Sequence, residues 1–352
     1  MDDPSYESSE EIEKSMDEEA SEENEYLEEY IESNKEKWNI KISDEENFWI
    51  NLHKSGFTYV PNKCPTCNIG NLALKKNTLC DIINPFNLRC NSKKCRKIFK
   101  LRNFSFIYKL PKIPASIAYL IFEQFFIYGL NSHKIKNLLY DKYKKEINVT
   151  KIQKVLLLFR KIIHRHMKIK YNHTLIGGFN QEGDPRIVAI DESLFVHNQK
   201  GEAIWIIGGI ETKERRIRLC ISKERNMQAI ENFVNQNFLE GTHFTHDGWS
   251  GYSFLNNNIN YTHETHIHGG GEFGYGLHST SHIESIWANL KKLIVGMYSI
   301  IPNKNFNLFL REAELRFNLI KKTKEEKLNN IKLIFKEVYE NCQFEFGLNE
   351  NF

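Results

Sequence analysis

The sequence has no segment that could serve as a membrane span. Its most apolar stretch, Ile113 to Leu130, is broken by Pro114, Ser116, Glu123 and Gln124, short of the roughly 20 apolar residues a helix needs to cross a bilayer. That run reads instead as a buried helix. Also missing is a basic patch leading into an apolar run after Met1-Asp2-Asp3-Pro4, the pattern of a secretory leader. The cysteines are therefore expected to be reduced. There are seven of them, an odd number for a disulfide framework, and four fall in a metal-like spacing. Net charge is nearly absent as well: 48 Lys and Arg against 45 Asp and Glu give +3, which taken whole points to no special partner.

That average conceals a segregation. Residues 1–46 hold 19 acidic and 4 basic side chains, residues 47–170 hold 4 acidic and 25 basic, and residues 171–352 hold 22 acidic and 19 basic. The length allows two folded domains after the tail, at about 100–200 residues each. Residues 1–36 are mostly Glu, Ser and Asp, a composition that buries too little surface to offset chain entropy. The division expected is an acidic disordered tail over 1–46, a zinc ribbon over 47–110, a helical DNA-binding segment over 111–170, a catalytic domain over 171–322 and a helical extension over 323–352.

Cys64-Pro-Thr-Cys67 and Cys90-Asn-Ser-Lys-Lys-Cys95 form two close pairs separated by enough chain for a β-hairpin. Four thiolates so spaced suit tetrahedral zinc, whose binding energy replaces the core that a small module lacks. Cys80 is the alternative ligand, and Cys220 and Cys342 read as buried apolar residues. Beyond this module, Ile117, Leu120, Ile121 and Phe125, then Ile135, Leu138 and Leu139, then Ile152, Val155, Leu156, Phe159 and Ile163 recur at helical spacing. Three short helices with tight joints fit a helix-turn-helix, or a plain bundle linking two domains. Lys134, Lys136, Lys142, Lys144, Lys145, Lys151, Lys154, Arg160, Lys161 and Arg165 surround them. Releasing counterions from a phosphate backbone is the evident use of such a field.

After Gly177-Gly178, Gly183 and Pro185 the pattern becomes α/β. Strands are expected at Arg186–Ile190, Ala203–Ile210, Arg216–Ile221, His243–His246 and Tyr261–His266, with helices at Asn226–Phe238 and at about 282–297, 306–321 and 325–340. Asp191 and Asp247 each follow an apolar strand, as if emerging at its tip, and Glu284 lies in the first turn of a helix that buries Ile283, Ile286, Leu290 and Leu293. Glu192 is expected on the opposite strand face from Asp191. Three converging carboxylates repel one another unless cations neutralise them. Two Mg²⁺ (or Mn²⁺) ions would do so and would activate a water or 3′-hydroxyl for attack on a phosphodiester. The 55 residues between Asp191 and Asp247 fit an RNase H-like fold. Lys291, two helical turns beyond Glu284, is placed to hold DNA near the metals.

The runs Asp191-Glu192-Ser193, Asp247-Gly248-Trp249-Ser250-Gly251-Tyr252 and His282-Ile283-Glu284-Ser285-Ile286-Trp287-Ala288-Asn289-Leu290-Lys291 resemble the DDE transposase domain of the Merlin superfamily and its bacterial insertion-sequence relatives, the ISXO-two-like group. The resemblance spans roughly residues 60–320, because that family also places a zinc ribbon and a helical DNA-binding segment before its catalytic domain. It implies that Asp191, Asp247 and Glu284 are the metal-binding triad of a cut-and-paste transposase, with Lys291 the accompanying lysine. The partners implied are double-stranded DNA (terminal inverted repeats and target), with a homo-oligomer as the working form. Many relatives carry His-Thr-Asn just before the glutamate, where this chain has Ser279-Thr280-Ser281, a change that bears on fine positioning.

The alternative of another class is a domesticated DNA-binding or regulatory protein without turnover. A third reading is an RNase H-like nuclease of a different substrate. His243, His246, His263, His266, His268, His278 and His282 cluster around Gly269-Gly270-Gly271. They read as neutral imidazoles near the active edge, with a second zinc site as the other possibility. The abundance of Asn, Ile and Lys and the acidic tail lean toward a eukaryotic, nuclear setting, otherwise a cytoplasmic one.

Overall fold

The computed structural model describes residues 40–78, 81–105, 107, 110, 113–144, 146–171, 174–197, 203–266, 276–297 and 306–341. The acidic segment 1–36, Lys145, Cys80, Cys342, His268 and the glycines 269–271 lie outside the described residues. The chain divides into two compact units. One draws on residues up to Gln124, on His133–Val155 and on those from Tyr339; the other draws on Phe125–Ser132 and Leu156–Val338.

In the first unit, helix α1 (Ile42–Lys54) buries Trp49 and Leu52. A three-stranded antiparallel sheet follows, in the order β1 (Leu72–Lys76), β2 (Phe86–Cys90) and β3 (Ile98–Lys100). Only β2 has a buried face, with Phe86, Leu88 and Cys90 inward, so alternation is clean in one strand of three. Helices α2 (Ala115–Phe126), α3 (Ser132–Tyr143) and α4 (Val149–Tyr171) stand where the apolar periodicity put them. Gly129, at φ +70°, stops the α2 segment, because L side chains avoid that backbone region. Asn148 Oδ1 accepts the Thr150 amide at 2.9 Å and so opens α4.

A buried acid fixes the start of α2. Glu45 is fully enclosed, and its Oε1 accepts the amides of Ala115 at 2.6 Å and Ser116 at 3.3 Å, while Oε2 takes the Ser116 hydroxyl. It thereby serves as an N-cap supplied from 70 residues earlier in the chain. Burial raises its carboxyl above the usual range, and the bonds from Ser116 and Ala115 oppose that rise.

The second unit is built on a five-stranded mixed sheet. Strands β5 (Ile187–His197), β6 (Ala203–Glu211) and β7 (Ile217–Ser222) form an antiparallel meander. Past a short parallel pair, β4 (Ile176–Gly177) with β8 (Phe238–Leu239), come β9 (His243–His246) and β10 (Thr262–Thr265), parallel to β5. Spatial order is β7-β6-β5-β9-β10. Numbered along the chain that is 3-2-1-4-5, an order in keeping with the RNase H-like fold expected from the acid spacing.

Period-two alternation on β5 sorts its side chains between two cores. Ala189 packs with Ile283, Trp287 and Leu290 of α6 (Ser281–Met297) and Leu310 of α7 (Phe306–Asn318). Val188 and Ile190 pack with Ile230, Phe233 and Val234 of α5 (Met227–Asn237). Asn226 caps α5 by accepting the Ala229 amide. Phe335 of α8 (Lys324–Asn341) meets Phe159 edge to face at 6.0 Å.

Two expectations need correction. Strand β5 does not stop at Ile190 but runs on to His197, bulging between Leu194 and Val196, because β6 continues to pair with it; Asp191 is thus within a strand and not at its tip. Arg160 does not face outward for phosphate. It bonds Glu312 at 2.6 Å and lies 5.1 Å from the Phe125 ring centroid, since a buried carboxylate on α7 requires a cation there.

Replacing Glu45 with Ala leaves the first amides of α2 buried without acceptors. It should cost about 3 kcal/mol, read as a lowered midpoint in urea; an unchanged midpoint would contradict the capping account.

Candidate functional site

Asp191 pairs in register with Gly208 of β6, and the parallel pairing of β5 with β9 extends to Ala189 and Thr245. Carried one step on, that register sets His246 level with Ile190, so Asp247, the first residue after β9, leaves the sheet beside Asp191. Gly248, at φ +82°, turns the chain there, and Asp247 Oδ1 accepts the Trp249 amide at 2.9 Å.

Asp191 is held from the other side by α6. Trp287 Nε1 donates to Asp191 Oδ2 at 2.8 Å. Trp287 lies one helical turn after Glu284, so both project from neighbouring positions on α6. Phe195 meets the Trp287 ring edge to face at 6.0 Å, and Lys291 Nζ lies 5.6 Å from the Phe195 centroid. The four predicted residues thus fall into two relationships. Asp191 and Asp247 are close enough for their charges to interact, and Glu284 and Lys291 share the helix that grips Asp191.

Burial pushes the Asp191 carboxyl up to about 7; the Trp287 bond opposes this, while the charges of Glu192 and Asp247 add to it. Among the described residues, neither Asp191 nor Asp247 has an ion-pair partner. A carboxyl so placed is poorly served by protein alone, whereas hard divalent cations bind oxygen donors of this kind. Asp191 and Asp247 are the donors placed side by side here; Glu284 is on the adjoining helix, and the three acids do not bring their oxygens within 4.8 Å of one another.

Glu192 faces the opposite way, as expected. Its Oε1 accepts from Arg225 at 2.7 Å and its Oε2 from the buried Tyr252 hydroxyl at 2.7 Å. Burial and this carboxylate hold the Tyr252 phenol well above its ordinary range. Arg225 also stacks 4.3 Å from the Trp249 centroid. The glycine at 251 is required because a Cβ there would lie 2.0 Å from Trp249. His246 is stacked on Tyr252 and bonded through Nδ1 to the Gly248 amide and through Nε2 to His263. Burial and neighbouring His263 press its pKa down to about 4, keeping it neutral. His282 has both ring nitrogens engaged, with Arg215 at 2.9 Å and the Gly276 carbonyl at 2.9 Å.

Trp287, which holds Asp191, and Arg225, which holds Glu192, are site contacts that sequence reasoning did not single out. The i, i+3 spacing of Glu284 and Trp287 was a usable signal for the first; nothing local marks Arg225, which meets Glu192 from 33 residues away.

In the other unit, the sulfurs of Cys64, Cys67, Cys90 and Cys95 all lie within 4.8 Å of one another. Backbone amides of Gly70 and Ile69 aimed at Cys67 lower its thiol to about 6, whereas burial and the adjacent sulfurs push Cys90 up to about 12. Four sulfurs this close cannot all ionise without a cation, and the set is compatible with tetrahedral zinc. Gly70 leaves room for them, since a Cβ there would lie 2.4 Å from Cys90 Sγ.

Residues 184–318 match the family model of the ISXO2-like transposase domain, a span that contains Asp191, Asp247, Glu284 and Lys291. No curated protein matches the chain. Among solved structures, the HTLV-2 integrase catalytic core domain in complex with magnesium (dimeric form) aligns at 14% identity and TM-score 0.24, covering 36% of this chain and 82% of that one. The simian T-cell lymphotropic virus intasome in complex with PP2A regulatory subunit B56 gamma aligns at 14% identity and TM-score 0.27, covering 56% and 66%. Both likenesses are remote, and the description of the sheet rests on its own strand order.

The raised Asp191 carboxyl sets a pH dependence. Its folded pKa of about 7 lies above its ordinary 3.8, so its contribution to stability is full below about 4 and is lost as pH rises through 7. Asp191→Asn should therefore stabilise the metal-free protein at pH 8, on the order of 2–4 kcal/mol, and leave it unchanged at pH 4, as read by thermal melts. Equal effects at both pH values would contradict this electrostatic origin.

Proposed function

We propose that the chain is a DNA transposase that binds the ends of a mobile element and performs metal-dependent strand cleavage and strand transfer. The observation that carries this reading is Asp191: half-buried, with no ion-pair partner among the described residues, beside Asp247, and hydrogen-bonded to the helix bearing Glu284. The family match over residues 184–318 supports the same class of chemistry.

In this reading Asp191, Asp247 and Glu284 hold two Mg²⁺ ions, which when bound would polarise the scissile phosphodiester and lower the cost of generating the attacking oxygen. The protein's own share is positional. Trp287 fixes the Asp191 carboxylate by its Nε1 donor, and the β5–β9 register brings Asp247 alongside. Lys291, exposed and loosely held by the Phe195 face, supplies a mobile cation for the DNA backbone.

The first unit supplies affinity. Lys151 and Lys154 are exposed at the start of α4, where a helix-turn-helix would present cations to phosphates. The four cysteines hold a structural zinc that orders the three-stranded module. A working homo-oligomer on paired ends belongs to this reading as well, as does a nuclear setting in a eukaryotic host.

With Mg²⁺ or Mn²⁺ and duplex element ends, Asp191→Ala or Glu284→Ala should abolish strand transfer while gel-shift binding persists. Strand transfer surviving either substitution would refute the assignment. Binding without cleavage by the wild type would instead favour a regulatory protein. Trp287→Phe keeps the ring and removes the donor; it should lower the cleavage rate about 10–100-fold with end binding unchanged.

A further inference from the structure

One group of metal-ligating side chains is used by neither the carboxylates nor the cysteines. His243 on β9, Glu264 on β10 and His278, which ends the turn of 3-10 helix Gly276–His278 before α6, bring their donor atoms within 4.8 Å of one another. Glu264 Oε1 is the common focus. His278 Nδ1 makes a short hydrogen bond to it, His266 Nε2 lies 3.2 Å away and His243 Nε2 lies 3.7 Å away.

This is poor hydrogen bonding. The Nε2 atoms of His243 and His266 are buried, yet neither is aligned for a hydrogen bond with anything. Leaving such groups unsatisfied costs free energy. It is good ligand geometry, however. Around tetrahedral zinc, with bonds near 2.0–2.1 Å, donor atoms sit about 3.3 Å apart. The Nδ1 of His243 is 2.8 Å from Thr262 Oγ1; donating there, it leaves the Nε2 lone pair free, as outer hydrogen bonds do for metal-bound histidines.

We propose that His243, Glu264 and His278 bind a zinc-class divalent ion, with His266, outside that group but 3.2 Å from Glu264 Oε1, drawn in as the fourth ligand. Imidazole nitrogens with a single carboxylate select zinc over magnesium, which prefers oxygen; the ion is therefore distinct in kind from those ascribed to the three acids. Its place gives it a purpose. It joins β9, the strand that ends just before Asp247, to the turn six residues ahead of Glu284, and so tethers the start of α6 to the strand edge. Thr280, between that turn and Glu284, accepts the Glu284 amide at 3.3 Å, which extends the connection to the acid itself.

The test is metal stoichiometry of the full-length protein, which is independent of DNA cleavage. Dialysed wild type should retain two zinc ions per chain. His243→Ala with His278→Ala should retain one, and its cobalt-substituted form should keep the intense thiolate-to-cobalt bands of the cysteine site while losing the weaker bands of a nitrogen and oxygen site. Glu264→Gln preserves the shape and guards against misfolding as the cause. With an unchanged circular dichroism spectrum, it should weaken the second zinc by at least about tenfold. One zinc per wild-type chain, or two in the double variant, or undiminished affinity in Glu264→Gln, would overturn the proposal.

Discussion

A half-buried carboxylate within a central strand, with no positive charge paired to it among the described residues, is the constraint on which the second unit depends. Other buried acids in that unit are treated differently. Glu192 has Arg225, Glu211 has Arg186 and Arg216, Glu312 has Arg160 and Arg316, and Glu314 has Arg311 and Arg218. The fold thus provides guanidinium groups readily where a carboxylate must be neutralised permanently. At Asp191 it provides a neutral indole N–H, which orients the carboxylate without cancelling its charge. That asymmetry separates acids paired within the protein from one that is oriented but left unpaired, the acid to which the proposed function assigns a metal.

The surroundings follow from that constraint. Trp287 can reach Asp191 because Gly208 stands opposite on β6, where a Cβ would lie 2.5 Å from the indole. On the reverse face, Glu192, Tyr252 and Arg225 form a closed polar network that anchors the chain just past Asp247. The two faces of one strand therefore serve different ends. One stabilises with full pairing, and the other maintains an electrostatic deficit.

Much of this was legible in the sequence, and the reasons differ by element. Strands β6, β7 and β9 and helices α5 to α8 follow from apolar periodicity, because each buries one continuous face. Asp191 and Asp247 could be singled out because each follows an apolar strand run, and Glu284 because it opens a helix whose apolar face is continuous without it. The full length of β5 could not be read, since Asp191-Glu192-Ser193 looks like a strand end when the partners of those acids are unknown. The inward turn of Arg160 depends on Glu312, 152 residues away, a separation that no local pattern encodes. The same holds for the focus of three imidazoles on Glu264, where the sequence offered the histidines without the carboxylate that gathers them.

The central claim is that the deficit at Asp191 is filled by divalent metal. Anomalous diffraction from crystals soaked in Mn²⁺ tests it directly. The account predicts manganese peaks in contact with the carboxylates of Asp191, Asp247 and Glu284, and their loss in Asp191→Asn. A crystal with ordered Asp191 and Asp247 side chains and no manganese at them, at concentrations that saturate other acidic sites, would contradict it.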